Sequence, residues 1–157
     1  MRERGFTLIE MMMVVAVIAI LSLMMAPAYI DRLVRGQIVD ALPLADIAKR
    51  PIGAAWSALH ALPPDNASIG LPEPAKVVSN LVSAMAVENG AIQMTFGNQA
   101  HNQIRGRTLS LRPAIVPDAP VVPVAWVCGY AAAPGNMTAM GENRTDIRRD
   151  YLPLQCR

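Results

Sequence analysis

The chain has 157 residues, room for one globular domain plus a long helix and no more. Hydrophobic residues make up 53% and the mean hydropathy is +0.30, both raised by one N-terminal segment, behind which the composition is that of an ordinary soluble protein. A net charge of +2 gives no reason to take nucleic acid as the main ligand.

A short charged leader, Arg2-Glu3-Arg4, ends at Gly5. A long apolar run begins at Phe6 and carries one carboxylate, Glu10, near its start. An acid at that depth is expensive in lipid, so a use for it is expected. The stretch 11–28 is about 18 residues, long for a signal-peptide core and about the length of a membrane span. Ala26-Pro27-Ala28 has the form of a signal-peptidase site, but a signal core offers no role for Glu10. A plain single-pass anchor explains the length and leaves the Gly5–Phe6 boundary unexplained.

The pattern stays mainly helical over 6–61. Its first half is apolar all round, as a membrane or bundle-core helix must be. Ile30, Val34, Ile38, Ala41, Leu42 and Ala45 then recur at three- and four-residue spacing, one stripe of an amphipathic helix. Pro27, Pro43 and Pro51 each remove a backbone donor and crowd the preceding turn, so each is expected to kink or locally open the helix. Pro63-Pro64-Asp65-Asn66 ends it, and 66–75, with Gly70, Pro72 and Pro74, reads as an irregular loop. His60 falls late in the helical stretch and reads as a surface or cap-proximal residue.

The period then changes. Residues 81–87 read as a strand, Asn89-Gly90 as a hairpin turn whose two residues tolerate positive φ, and 91–96 as the returning strand. A third strand is expected at 108–111. A link studded with Pro113, Pro117, Pro120 and Pro123 leads to a fourth at 124–128. A helix followed by an antiparallel meander is an α+β plan.

Cys128 and Cys156 are the only cysteines, and in an exported chain an even pair favours a disulfide. Closing a loop of about 28 residues stabilises by roughly 3–4 kcal/mol on the loop-entropy model. Free buried thiols are the alternative; a metal site is poorly served, since neither His60 nor His101 sits at ligand spacing from a cysteine. No nucleophile motif and no phosphate-cradling glycine loop emerges, so neither an enzyme nor a cofactor is expected. Met11-Met12-Met13 and Met24-Met25 suit adaptable packing in a helix bundle. Arg144, Arg148, Arg149 and Arg157 interleave with Glu142, Asp146 and Asp150, which predicts a solvated face with local ion pairs. Three triplets, at Asn66, Asn136 and Asn143, fit the glycosylation pattern without predicting modification.

Gly5-Phe6-Thr7-Leu8-Ile9-Glu10 before an apolar helix resembles the class III leader of type IV prepilins. Pro27-Ala28-Tyr29 resembles the proline-tyrosine pair of type IVa pilins. The segments 87–90, 106–113 and 124–128 resemble that family's strand motifs, and Tyr151-Leu152-Pro153 through Arg157 its C-terminal signature. The resemblance implies cleavage between Gly5 and Phe6 by a prepilin peptidase, N-methylation of Phe6, and a role for Glu10 in assembly. It also implies a kink at Pro27, a Cys128–Cys156 bond, and a homopolymer drawn from the inner membrane by pilus assembly machinery. The expected division is leader 1–5 (removed), membrane and assembly helix 6–28, amphipathic half 29–62, connecting loop 63–80, and sheet with disulfide loop 81–157. The expected fold is a long helix packed on a four-stranded antiparallel sheet. The expected function is a structural subunit, the major one, of an extracellular filament serving adhesion, twitching motility or DNA uptake. A minor tip pilin contacting DNA or a host surface, and a type II secretion pseudopilin, are the competing readings.

Overall fold

The computed structural model describes residues 5–157, less the side chains of 24–28. It divides into two compact units, Met1–Leu33 and Val34–Arg157. One helix, α1 (Leu8–Ala41), supplies nearly all of the described first unit and the opening element of the second. The kink expected at Pro27 lies outside the described residues.

The end of α1 has a local cause. Pro43 disfavours helical geometry at the residue before it, so the chain tightens into a 3-10 turn, Leu42–Ala45, before α2 (Asp46–Leu59) begins. Pro51 acts differently from Pro43: α2 runs through it. His60 closes α2 in the left-handed region at φ 53°, its N–H donating to the Trp56 carbonyl at 3.0 Å. Through turn and helices one stripe stays buried: Val34, Ile38, Ala41, Ala45, Ala48, Ile52 and Trp56. Its spacing of three and four residues is the amphipathic period. Small Ala41, Ala45 and Ala48 follow one another at its centre, with larger side chains at either end. Ile30, expected in the same stripe, belongs to the other unit and is exposed.

The stripe packs in one cluster with the sheet. β1 (Val82–Glu88), β2 (Ala91–Phe96), β3 (Thr108–Ile115) and β4 (Ala125–Cys128) follow one another as antiparallel neighbours. Asn89 and Gly90 join β1 to β2 at φ 48° and 82°, the two positive values a two-residue hairpin turn requires. Ile92, Met94, Leu109 and Leu111 enter the core, and the two faces differ because Gln93 and Ser110 fall between them. Each fully buried aliphatic or aromatic side chain, Ile38, Ile52 or Phe96 for example, contributes about 1.5–3 kcal/mol.

Two features depart from the sequence expectation. β3 continues four residues past Leu111, through Pro113. The Pro113 carbonyl accepts from the Met140 N–H at 2.8 Å, so the missing proline N–H faces that same edge, where β5 (Thr138–Ala139) is only two residues long. The proline therefore removes little from the ladder. β5 itself is the second departure, pairing with Ala114 and Ile115 and making five strands of the expected four.

The C-terminal segment lies over the outer side of the sheet through polar contacts. Gln93 donates to the Glu142 carbonyl at 2.9 Å, Ser110 Oγ donates to Gln93 Oε1 at 2.6 Å, and the Arg144 N–H donates to Ser110 Oγ at 2.7 Å. Tyr130 donates its hydroxyl to the Thr145 carbonyl at 2.7 Å. The buried side-chain atoms of Gln93 and Ser110 are thus paired, as their desolvation demands, whereas Trp56 Nε1 and Arg112 Nε are buried without a partner among the described residues. The same segment has its own apolar anchors, since Ile147, Tyr151 and Leu152 are buried in the core cluster.

Candidate assembly helix and disulfide-closed domain

Within Met1–Leu33 the described side chains are exposed except Asp31, which is half-buried. Phe6 is 75% exposed, and Leu8, Ile9, Met12, Met13, Val15 and Leu23 are open in the same way. No single helix can bury an apolar surface that runs all round it, so the unit requires an apolar surrounding. The Ser22 hydroxyl is satisfied internally, Oγ donating to the Ile18 carbonyl at 2.8 Å. Among the described residues no helix is long and apolar enough to cross a membrane. The described part of the apolar run stops at Leu23; in sequence it continues through 24–28.

Glu10 stands in the first turn of α1. Its backbone N–H donates to the Thr7 carbonyl at 3.1 Å and to Thr7 Oγ1 at 3.3 Å, so Thr7 caps the helix. Thr7-Leu8-Ile9-Glu10 has the spacing of a capping box, and a carboxylate at a helix N-terminus is favoured by the helix dipole. This local role escaped the sequence reading although the pattern was there to find. Among the described residues the Glu10 carboxylate itself makes no ion pair or hydrogen bond. Of the leader, Gly5 alone is described, and a Cβ on it would meet nothing within 4 Å.

In Val34–Arg157 the cysteines are joined: Cys128 and Cys156 form a disulfide with a Cα–Cα distance of 4.5 Å across 28 residues of sequence. It ties the C-terminus to β4. Gly129 beside it has φ 58°, and a Cβ there would stand 2.5 Å from the Cys156 carbonyl oxygen, so the strand and the tail can approach only at a glycine. The basic cluster is spread among local partners. Arg144 pairs with Glu88 at 2.8 Å and Glu142 at 3.0 Å, and Arg148 with Asp150 at 2.9 Å. The Glu142 hydrogen bond, with the charges of Glu88 and Glu142, raises the Arg144 pKa. Arg149 lies over the Tyr130 ring at 4.6 Å, and Arg157 Nε donates to the Leu152 carbonyl at 3.0 Å. Asn66 is buried and fully engaged: Nδ2 donates to the Pro72 and Met85 carbonyls, and Oδ1 accepts from the Val87 N–H. It is a clamp between the connecting loop and β1, inaccessible to a glycan. Among the described residues no three His, Cys, Asp or Glu side chains are grouped to hold a metal ion.

A largely apolar, exposed helical stretch is joined in sequence to a disulfide-closed α+β domain. Comparison with known proteins identifies the class. Residues 34–157 match the family model for pilin, a bacterial filament protein, and residues 1–26 match the prokaryotic N-terminal methylation motif. The chain is 32% identical over 161 residues to the type IV major pilin protein PilE1 of Neisseria gonorrhoeae, covering 99% of this chain and 87% of that protein. It is 32% identical over 165 residues to a fimbrial protein of Neisseria meningitidis serogroup B, covering 99% and 94%. Against the fimbrial protein EcpC of Eikenella corrodens it is 35% identical over 113 residues, covering 70% and 74%. The chain belongs to the type IV pilin family. It is a pilus subunit, a structural filament protein and not an enzyme, and the family implies a membrane-anchored precursor.

Proposed function

We propose that this chain is the major subunit of a type IV pilus, a homopolymer serving adhesion, twitching motility or DNA uptake. Before assembly the precursor is held in the inner membrane as a single-pass protein by residues 6–28, with the globular domain outside the cytoplasm. A prepilin peptidase cuts between Gly5 and Phe6, and the new Phe6 amine is methylated. The assembly machinery then moves the helix out of lipid and against other copies. The observation that carries this reading is the exposed apolar helix with a single acid, Glu10, in its first turn. The methylation-motif match over 1–26 supports the processing step, and relatives described as major pilins support the rank of the subunit.

Moving from lipid to a bundle of identical helices exchanges one apolar environment for another, so polar contacts and close packing must supply the specificity. In this reading the Glu10 carboxylate pairs with the methylated Phe6 amine of a neighbouring subunit. Desolvated, such a pair is costly to break from one side, about 3–5 kcal/mol. Glu10→Ala therefore enters the membrane and is cut normally, but the yield of sheared filaments relative to mature membrane protein falls sharply. Glu10→Gln keeps an acceptor and loses the charge, so its filament yield is intermediate at best. Normal yield from Glu10→Ala would remove the carboxylate from assembly.

A further inference from the structure

Within Val34–Arg157, residues Arg35, Gly36 and Val39 of α1 line a surface groove of about 550 Å3 together with Pro153, Leu154 and Gln155. Its apolar side chains are open, Val39 45% and Leu154 85% exposed. Gly36 adds a second observation. A glycine inside a helix weakens it relative to alanine. A Cβ on Gly36 would meet nothing within 4 Å, so no neighbour in its own chain requires a glycine there. A surface closing on the groove from outside would account for it.

A fitting projection stands on the loop between β3 and β4. Pro117, Pro120 and Pro123 stiffen it, and two turns brace it, the Ala119 N–H donating to the Val116 carbonyl at 3.1 Å and the Val122 N–H to the Ala119 carbonyl at 3.0 Å. They present Val121, 89% exposed. Asp118, three residues earlier, has no ion pair among the described residues. On the rim of the groove Arg35 also lacks a carboxylate partner among them, its guanidinium donating to the Asp150 carbonyl at 3.1 and 2.9 Å. The projection thus carries an unpaired anion and the groove an unmatched cation.

The geometry points to a head-to-tail contact between copies of this chain: the Val121 loop of one subunit seats in the Gly36–Val39–Leu154 groove of the next, with Asp118 beside Arg35. The inference rests on the filament-subunit reading above and names a contact in the globular layer, separate from the N-terminal helix. The two patches differ, so the contact is head-to-tail: it leaves a free patch at each end, and it propagates as a filament when its rotation does not close a ring. A chain whose family builds filaments meets its own copies at high local concentration, which makes a second copy the occupant that the charges suit.

Engineered cysteines test this cleanly, because the two native ones are bonded to each other. Filaments carrying both Gly36→Cys and Val121→Cys, mildly oxidised, should give a ladder of covalent multimers on a non-reducing gel, while either single variant gives none. Val39→Cys replaces Gly36→Cys if the latter blocks assembly. Asp118→Arg and Val121→Asp should lower filament yield several-fold without moving the melting temperature of the unassembled protein. Gly36→Ala should raise that melting temperature and lower the yield, opposite signs that a purely structural glycine would not produce. Full-yield filaments with no ladder, or a cross-link to a protein of another mass, would overturn this contact and leave the subunit reading intact. Failure of the unaltered chain to form filaments would overturn both.

Discussion

The two units of this chain use apolar residues in opposite ways. In Val34–Arg157 they are removed from solvent by the chain itself, and Met85, Ile92, Met94 and Phe96 are fully buried. In Met1–Leu33 the same residue types, Met12, Met13 and Ile18 among them, are left open. The second unit therefore carries its stability in its own core, while the first depends on what surrounds it, lipid before assembly and other copies after. A substitution in one should register as folding and in the other as association.

The largest expected effect in the folded unit comes from its covalent tie. Cys156→Ser should lower unfolding stability by about 3–4 kcal/mol, read by urea denaturation of the full chain in detergent. The loss should fall short of complete unfolding, because Ile147, Tyr151 and Leu152 still anchor the tail. If both native thiols proved alkylatable in exported protein, the tie would be absent in the cell. Next comes a matched pair of methionines. Met85→Ala, which opens a cavity in the core at the position opposite Met94, should cost about 2–5 kcal/mol. Gly129→Ala should cost about 2 kcal/mol, since it combines an unfavourable φ with a clash on the Cys156 carbonyl. Met12→Ala, the partner of Met85→Ala in the comparison, should leave the urea midpoint unchanged within about 0.5 kcal/mol. A Met12 effect as large as that of Met85 would show that the first unit is buried in the chain's own fold, and the contrast would collapse.

What the sequence reveals of this molecule follows how local each determinant is. Asn89-Gly90 is legible because a two-residue turn asks only for two positive φ values. The buried stripe from Val34 to Ile52 is legible because its period survives the 3-10 turn at Pro43. The disulfide follows from two cysteines and an exported chain. Pro113 misleads, since its effect on β3 depends on which edge its missing N–H faces, a fact settled only by Met140. β5 and the tail anchors Ile147, Tyr151 and Leu152 lie in irregular chain with no period to betray them. Asn66 reads as loop or glycan acceptor, and only tertiary contact with Pro72, Met85 and Val87 makes it a clamp. At the assembly helix the acid at Glu10 is conspicuous in sequence, whereas the groove at Gly36 and Leu154 joins residues more than a hundred positions apart.

The central claim is that the apolar helix is retained and becomes the N-terminus of a polymerised subunit. Mass spectrometry of protein recovered from sheared filaments tests it most directly. The account predicts a chain that begins at N-methylated Phe6, lacks residues 1–5, and carries an intact Cys128–Cys156 bond. A mature protein beginning at Tyr29, with the helix 6–28 removed, would contradict it.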